Sequence, residues 1–328
     1  MSRVRLGPQL VPTVPTIERR YGLFRLPVVL ESNDPVFVEA ADLSLGRFPV
    51  PDDGPPLRLR LFAVDEPWRG GDNWRVSYQT DGRRYVLTTP DSVAVADIPA
   101  GEAVAFVGPH MRAEVAAVRR ELVEGLSLAM ATGGRGYSPI HAAGIARGSR
   151  GVALVGAAGA GKSTLTMAAA RRGFAVFAED AVYVRASEKA VEFWGMPWIQ
   201  RLLPDALEMF PELTAIQPRL QPNGESKLEV DLDEWFPGAA SPCANPAALV
   251  LLERGPGLTR LTPVGDDDEA QIELLWPWGD RWTPENQRAA DHLERLPMYR
   301  LEMGGTPEQA LDVLEPVFEE LSAVGVTG

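Results

Sequence analysis

Gly156-Ala-Ala-Gly-Ala-Gly161-Lys162-Ser163 fits the motif Gly-x-x-x-x-Gly-Lys-[Ser/Thr] at every fixed position, and our prediction of the fold starts from it. Glycines in this pattern let the backbone wrap closely around a phosphate, so that several N–H groups point at it from the start of a helix. The lysine supplies charge for the β- and γ-phosphates, and the hydroxyl can bind Mg²⁺. We therefore predict a nucleoside triphosphate site with ATP and Mg²⁺ as cofactors. The predicted binding residues are Gly156, Ala157, Ala158, Gly159, Ala160, Gly161, Lys162, Ser163 and Thr164.

The residues around this motif place it between a strand and a helix. Residues 151–155 form a short apolar run, and a helix is predicted from about Lys162 to Arg172, with Gly173 as its stop. A strand–loop–helix setting is the one in which this motif binds phosphate. The alternative is a chance match in a Gly- and Ala-rich stretch. A chance match that also has a strand before it and a helix after it is rarer. The motif alone names no reaction, because ATPases, transporters, GTPases and kinases all use it.

The pattern of the 328 residues changes near residue 112, and we predict two domains, 1–111 and 112–328. The first is a β-rich N-terminal module with many Pro and Gly residues. Its runs 74–80 and 84–89, joined at Asp81-Gly82, are typical of a hairpin. The second begins with a helix over 113–131, where apolar residues recur every three or four positions before Gly133-Gly134. Strands and helices then alternate, which indicates an α/β core.

The remaining predicted elements belong to this α/β core. They are strands at 174–178, 247–252 and 298–303, a hairpin of 181–185 with 190–194, and helices at 284–295 and 307–324. If the strand 174–178 lies beside 151–155 in a parallel sheet, its carboxyl end faces the phosphate loop, where ligands of open α/β sheets bind.

Two acids and a histidine are candidates for chemistry at that edge. Glu179 and Asp180 follow the strand 174–178, and a carboxylate there can hold Mg²⁺ or accept the proton of an attacking hydroxyl. A solvated acidic turn is the alternative. His141 precedes the phosphate-loop strand among apolar residues, where a hydrogen-bonded core or turn residue is the alternative to a catalytic one.

In combination, His141-Ala-Ala-Gly, the loop through Lys162, and the run from Arg172-Gly173 to Glu179-Asp180 resemble the HPr serine kinase/phosphorylase family. That family belongs to the phosphoenolpyruvate carboxykinase-like group of phosphate-loop enzymes. His141 lies 21 residues before Lys162 and Asp180 lies 18 after it, which is similar to the family's spacing. The resemblance covers about residues 136–186. It implies an α/β fold with a P-loop kinase core of the HPr-kinase/PEP-carboxykinase-like type, and ATP-dependent phosphoryl transfer to a hydroxyl.

The resemblance also implies roles for individual residues. His141 would be catalytic, Lys162 would bind phosphate and Ser163 would bind Mg²⁺. Asp180 would accept the proton of the substrate hydroxyl and contribute to the metal site. Glu179 stands where the family usually has Asp and is one methylene longer. A metal-binding role for Glu179 would therefore depart from the family pattern.

Later segments resemble the family less closely. Arg201, in a Pro-containing run that begins at Trp194, would stabilise charge on the transferring phosphoryl group, with a surface arginine as the alternative. Lys227 stands where the family keeps a later basic residue. The glutamate-rich signature of true HPr kinases is not recognisable, so phosphoserine phosphorolysis and HPr as substrate are not implied. The implied acceptor is a serine of a peptide or small protein; a small-molecule hydroxyl, or a non-kinase ATP-binding switch or ATPase, are the alternatives.

Composition narrows the classes of partner. A formal net charge of −13 argues against nucleic acid and anionic membranes as partners. One cysteine, Cys243, cannot form a disulfide within the chain, which indicates a reducing compartment. No apolar run approaches the roughly 18–20 residues that span a bilayer. We expect a cytoplasmic protein with no nucleic-acid or membrane partner. The sequence is compatible both with a monomer and with a homo-oligomer.

Three weaker sequence features are interpreted as structural rather than functional. The acidic run 266–269 predicts a solvated loop, because adjacent acids rarely converge on one ion. Trp276, Trp278 and Trp282 predict core or interface packing. His110 and His292 have no metal-ligand partners at recognisable spacing, so no structural zinc site is predicted.

Overall fold

The computed structural model describes residues 14–65, 76–188, 190–221, 224–265 and 283–319. The chain divides into two compact units, residues 1–134 and 135–328. The helical segment that was predicted to open the second domain is therefore counted with the first unit. The acidic run 266–269 and the three tryptophans at 276, 278 and 282 lie outside the described residues. Within the described ranges, no helix is both long and apolar enough to cross a membrane.

The first unit contains a seven-stranded sheet in the order β1-β2-β3-β7-β6-β5-β4. Its strands are β1 (Ile17–Leu23), β2 (Leu26–Ser32), β3 (Leu57–Ala63), β4 (Ser77–Thr80), β5 (Arg84–Thr88), β6 (Val93–Asp97) and β7 (Glu102–Val107). The pairs β2–β3 and β3–β7 are parallel, and the other neighbours are antiparallel. The β-rich character and the β4–β5 hairpin confirm the sequence prediction within the described residues.

Helices cover part of this first unit. They are α1 (Val36–Asp42), α2 (Pro109–Arg112), α3 (Val115–Ala117) and α4 (Gly125–Gly134), with a π-helical stretch (Val118–Glu124) between α3 and α4. The helix predicted over 113–131 therefore exists, but it is not a uniform α-helix. Its end at Gly134 confirms the predicted stop at the glycine pair. Leu122, Leu126 and Met130 are fully buried, as their spacing predicted.

The second unit is a mixed α/β structure with a nine-stranded sheet and a small three-stranded sheet. Its strands are β8 (Tyr137–Ile140), β9 (Ala142–Arg147), β10 (Arg150–Val155), β11 (Ala175–Ala178), β12 (Val182–Ala186), β13 (Val191–Trp194), β14 (Ile199–Leu202), β15 (Arg219–Leu220), β16 (Ser226–Asp231), β17 (Cys243–Arg254), β18 (Arg260–Pro263) and β19 (Met298–Met303). Its helices are α5 (Lys162–Arg171), α6 (Leu232–Trp235), α7 (Pro284–Leu293) and α8 (Pro307–Glu319). The predicted strands, the β12–β13 hairpin and the helices are confirmed as far as the described residues extend.

The order of the large sheet corrects one expectation. Strand β11 is not beside β10, because β9 lies between them and is antiparallel to both. The chain turns back directly from β9 into β10 at Gly148, whose φ of +58° suits glycine in a tight turn. Strands β10 and β11 therefore run in the same direction without being neighbours.

This arrangement brings three chain segments to one edge of the sheet. Strand β9 begins where its neighbours end: Ala142 pairs with Val155, and Gly144 pairs with Ala178. The residues just before β9, just after β10 and just after β11 therefore share that edge. On the other side of β10, the parallel strands β17 and β19 end at the same edge.

Buried apolar residues hold this sheet and its helices together. Leu154 of β10, Val250 of β17 and Leu165 of α5 are fully buried in one cluster with Leu311 of α8. Because each buried side chain of this size contributes roughly 1.5–3 kcal/mol, the loop between β10 and α5 is anchored firmly at both ends.

Candidate functional site

The loop from Gly156 to Gly161 connects β10 directly to α5, which begins at Lys162. Gly159 and Gly161 have φ values of +80° and +104°, a region that favours glycine. A Cβ at Gly161 would also lie 2.6 Å from the Met303 methyl carbon. The predicted strand–loop–helix setting is confirmed, and glycine is required at these two positions by the backbone itself.

Lys162 is buried at the start of α5, and its ammonium group is folded back onto the loop. Nζ donates to the carbonyl oxygen of Gly156 at 2.6 Å and lies 3.4 Å from that of Ala157. A third contact, of 3.0 Å, joins Nζ to Nε2 of His141. An ammonium group has three N–H donors, so these contacts match its capacity.

His141 joins Lys162 to Asp180. Its Nδ1 lies 3.4 Å from Oδ1 of Asp180, while its Nε2 faces the lysine. Because an ammonium group can only donate, Nε2 accepts the hydrogen bond, and we infer that Nδ1 carries the ring proton and points it at the carboxylate. The Asp180 side chain is 62% exposed against 21% for His141, so a substrate can reach the carboxylate from solvent. The structure brings these three predicted residues together.

Glu179 has a different environment from its neighbour Asp180. Its side chain is only 12% exposed, and Oε2 lies 3.0 Å from Nη1 of Arg201. Burial raises the pKa of the Glu179 carboxyl from 4.5 to about 7, because desolvation of the charged form outweighs the opposing positive charges of Arg201 and Lys227. The nearby negative charge of Asp180 adds to the increase.

Arg201 is part of this site rather than a surface arginine on a helix. It lies on β14, and besides Glu179 its Nε is 3.7 Å from Oε1 of Glu229 on β16. The register pairs Arg201 with Glu229, which places both side chains on the same face of the small sheet. Arg201 is therefore held between two carboxylates at the edge where Asp180 lies.

The oxygen-bearing side chains near the loop suit Mg²⁺ that is bound together with a nucleotide. Within the described residues, no three His, Cys, Asp or Glu side chains are grouped so that they could hold a metal ion. Mg²⁺ in nucleotide sites takes only one or two protein oxygens and obtains the rest from phosphates and water. The Ser163 hydroxyl and an Asp180 oxygen are hard ligands of this kind, whereas the Glu179 carboxylate is engaged with Arg201.

Comparison with known proteins gives a structural similarity but no sequence match. No protein-family profile matches the chain, and no curated protein matches it in sequence. Among solved structures, the chain is similar to the Hpr(Ser) kinase/phosphatase from Coxiella burnetii, at 12% identity over 57% of this chain and 90% of that chain, with a TM-score of 0.29. A TM-score of this size does not show that the chain belongs to that family.

Three polar residues at this site were not predicted from the sequence. Gln200 is fully buried; its Nε2 donates to the Pro197 carbonyl oxygen at 2.9 Å, and its Oε1 lies 3.2 Å from the Thr166 hydroxyl on α5. Glu229 lies two residues after Lys227 in an alternating strand, so the period of two could have placed it on the same face. Arg254, at the end of β17, donates from Nε to the Gly159 carbonyl oxygen at 3.0 Å, and no sequence signal indicated this contact.

A groove of about 440 Å³ lies beside Arg201 on the outer face of the small sheet. Glu229 belongs both to the groove and to the ion pairs of Arg201. Ile199 and Trp235 give the groove an apolar part, and Glu234 adds a carboxylate. The groove is therefore a mixed surface, with polar and apolar contacts available to one ligand.

Proposed function

We propose that this chain is an ATP- and Mg²⁺-dependent kinase that transfers the γ-phosphoryl group of ATP to a hydroxyl. The observation that carries the proposal is the chain of contacts from Lys162 through His141 to Asp180, next to a glycine-rich loop at the start of a helix. It combines a cation for phosphate, a carboxylate open to solvent and a histidine that orients the carboxylate. Phosphoryl transfer requires mainly positioning and charge neutralisation of this kind.

In this mechanism the loop N–H groups and Lys162 hold the β- and γ-phosphates. When bound, Mg²⁺ would neutralise charge on these phosphates, with Ser163 and Asp180 as candidate oxygen ligands. The acceptor oxygen forms a bond to the γ-phosphorus while the bond to the β,γ-bridging oxygen breaks, and ADP leaves with that electron pair. The acceptor proton passes to the Asp180 carboxylate, which the Nδ1–H of His141 keeps in place. Arg201 would stabilise charge on the transferring group.

We propose a serine of a peptide or small protein as the acceptor, with a small-molecule hydroxyl as the second choice. The resemblance of the site motifs supports the first choice. The groove beside Arg201 also supports it, since its volume of about 440 Å³ suits a ligand larger than one hydroxyl group.

A non-kinase ATP-binding switch or ATPase is the alternative class. Arg201 is held by Glu179 and Glu229, and Lys162 is held by loop carbonyl oxygens and His141. If these contacts persist with nucleotide bound, the γ-phosphoryl group lacks its two cations, and its transfer to a hydroxyl or to water is slow. That outcome favours the switch within this class.

The test uses γ-labelled ATP and Mg²⁺ in a desalted cell extract to which the metabolite fraction is returned. Lys162→Ala is expected to weaken ATP binding and abolish label transfer. Asp180→Asn is expected to lower transfer by about 10²- to 10⁴-fold. ATP binding that stays within about threefold would assign Asp180 chiefly to proton transfer, whereas weaker Mg²⁺-dependent binding would assign it chiefly to the metal. The control is Asp205→Asn, which changes an exposed carboxylate outside the site.

The label is then sorted into protein, peptide, small-molecule and free-phosphate fractions. Label on an acceptor that disappears in both site variants supports the kinase and shows its acceptor. Label found only in free phosphate, or none despite ATP binding, rejects the kinase in favour of the switch or ATPase.

A further inference from the structure

A second cavity, of about 120 Å³, lies on the other side of the phosphate loop from His141 and Asp180. Thr164 of α5 belongs to its wall, directly after the Lys162-Ser163 pair of the loop motif. Arg254 and Met303, the last residues of β17 and β19, form another part. The cavity is therefore continuous with the loop but separate from the carboxylate side of the site.

The strand order explains why the two sites lie on opposite sides of the loop. The sheet runs β11-β9-β10-β17, and β19 follows β17. His141 and Asp180 adjoin β9 and β11, whereas the cavity adjoins the ends of β17 and β19. A triphosphate that lies across the loop with its γ-phosphate at Asp180 therefore points its α-phosphate and nucleoside towards the cavity.

The cavity wall has the chemistry of a site for a flat apolar ring. Met209, Leu165 and Pro307 contribute apolar groups besides Met303. The Met209 side chain is 41% exposed, so a ligand can reach it from solvent. Thioethers are polarisable, adapt their shape and make favourable contacts with aromatic rings.

The charged side chain in the wall also suits a nucleotide. Arg254 donates from Nε to the Gly159 carbonyl oxygen, and this bond fixes its guanidinium group beside the loop. An arginine in this position can neutralise an α-phosphate or stack on an aromatic base.

We propose that this cavity binds the purine base of the nucleotide, chiefly by packing rather than through hydrogen bonds from side chains. The inference rests on the proposed function, because it assumes that the loop binds a nucleoside triphosphate. A volume of about 120 Å³ is the share of about four water molecules in the liquid, which suits a small ring system that stays partly open to solvent. Among the described wall residues, Thr164 and Arg254 are the ones with polar side chains, and Arg254 is bonded to the loop. A base held chiefly by packing is then accepted whether it is adenine or guanine.

The experiment measures binding of ATP, GTP and inorganic tripolyphosphate, each with Mg²⁺, to the full chain by calorimetry. Met209→Ala removes an exposed side chain, so the fold is retained. We expect about three- to tenfold weaker binding of ATP and GTP and unchanged binding of tripolyphosphate. Leu203→Ala is the matched control, since Leu203 is similarly exposed at 45% and does not belong to the cavity wall.

Each other result has a defined meaning. The base site is overturned if the Met209→Ala variant binds ATP as tightly as the natural chain does. It is also overturned if the change weakens the binding of ATP and of tripolyphosphate equally. GTP binding more than about 100-fold weaker than ATP overturns recognition by packing, because that ratio requires hydrogen bonds to the base edge. If neither ATP nor tripolyphosphate binds, or if Lys162→Ala leaves their binding intact, the proposed function itself fails.

Discussion

At the residue scale, Glu179 and Asp180 show how two adjacent carboxylates acquire different properties. Glu179 is buried against Arg201, and its pKa is raised to about 7, whereas the Asp180 side chain is mostly exposed beside His141. Burial disfavours the charged form of an acid, so the two side chains differ because of their depth in the fold. This suits Asp180 for contact with a substrate and Glu179 for holding Arg201.

The raised pKa of Glu179 predicts a pH dependence of stability. Between pH 4.5 and about 7 the folded chain retains a proton that the unfolded chain has lost, so the free energy of unfolding falls as pH rises through this range and is level above it. The total fall is at most about 3.5 kcal/mol, from a pKa difference of about 2.5 at ~1.4 kcal/mol per unit. Urea unfolding from pH 5 to 8 should show this decline in the natural chain and a smaller one in Glu179→Gln. Parallel curves for the two proteins would contradict the assignment.

At the element scale, one buried pair ties the small sheet to the phosphate-loop helix. Gln200 of β14 meets Thr166 of α5 and also satisfies the Pro197 carbonyl oxygen. The next residue along β14, Arg201, faces the opposite way, towards Glu179. The strand therefore positions Arg201 relative to α5, through a polar contact in an otherwise apolar layer.

Removing that contact should cost stability. Gln200→Leu leaves the buried Pro197 carbonyl oxygen without its donor, which we expect to lower the free energy of unfolding by about 1–3 kcal/mol. Urea denaturation measures the change. Gln287→Leu is the control, because the Gln287 side chain is exposed and its bond to Asp291 lies at the surface, so the change should alter stability by less than about 0.5 kcal/mol. Equal effects of the two changes would rule out the structural role of Gln200.

The elements show what local sequence can and cannot predict. Strand β19 and the β12–β13 hairpin follow from apolar periodicity and turn residues, which depend only on neighbours in the chain. The place of β9 between β10 and β11 cannot be predicted in this way, because strand order depends on pairings between residues that are distant in the chain. The π-helical stretch (Val118–Glu124) was missed for a related reason, since apolar spacing of three and four is compatible with a local widening of the helix.

At the scale of the whole molecule, each of the two units has its own buried residues, and all of the candidate site lies in residues 135–328. We predict that residues 135–328, produced alone, fold cooperatively and bind ATP within about threefold of the full chain. Circular dichroism during urea unfolding and calorimetry with ATP measure the two properties. Failure to unfold cooperatively would show that this unit depends on the first.

A second fragment tests which domain boundary is correct, the observed one after residue 134 or the predicted one after residue 111. Residues 112–328 carry the helical segment of the first unit without the strands β3 and β6 that α4 packs against. Leu126 and Met130 would lose their cover, so we expect this fragment to aggregate more than 135–328 does, as measured by light scattering. Less aggregation of the longer fragment would favour the boundary at residue 111.

The site was predicted from the sequence where its residues follow directly on strands or begin a helix. His141, Lys162 and Asp180 hold such positions, and the family resemblance suggested their order along the chain. Gln200, Glu229 and Arg254 were missed. Alternation along a strand shows which residues share a face, but not which face meets the loop.

The direction of β9 has a practical consequence for spectroscopy. The β9–β10 turn lies at the edge of the sheet opposite to the phosphate loop, and six strand residues span about 20 Å. Ser149, in that turn, is exposed. A dye on Ser149→Cys, with the exposed Cys243 replaced by Ser, would stand far enough away to leave the loop undisturbed. It would also be near enough for energy transfer to a fluorescent nucleotide. The efficiency of that transfer would then report how much of the protein has nucleotide bound.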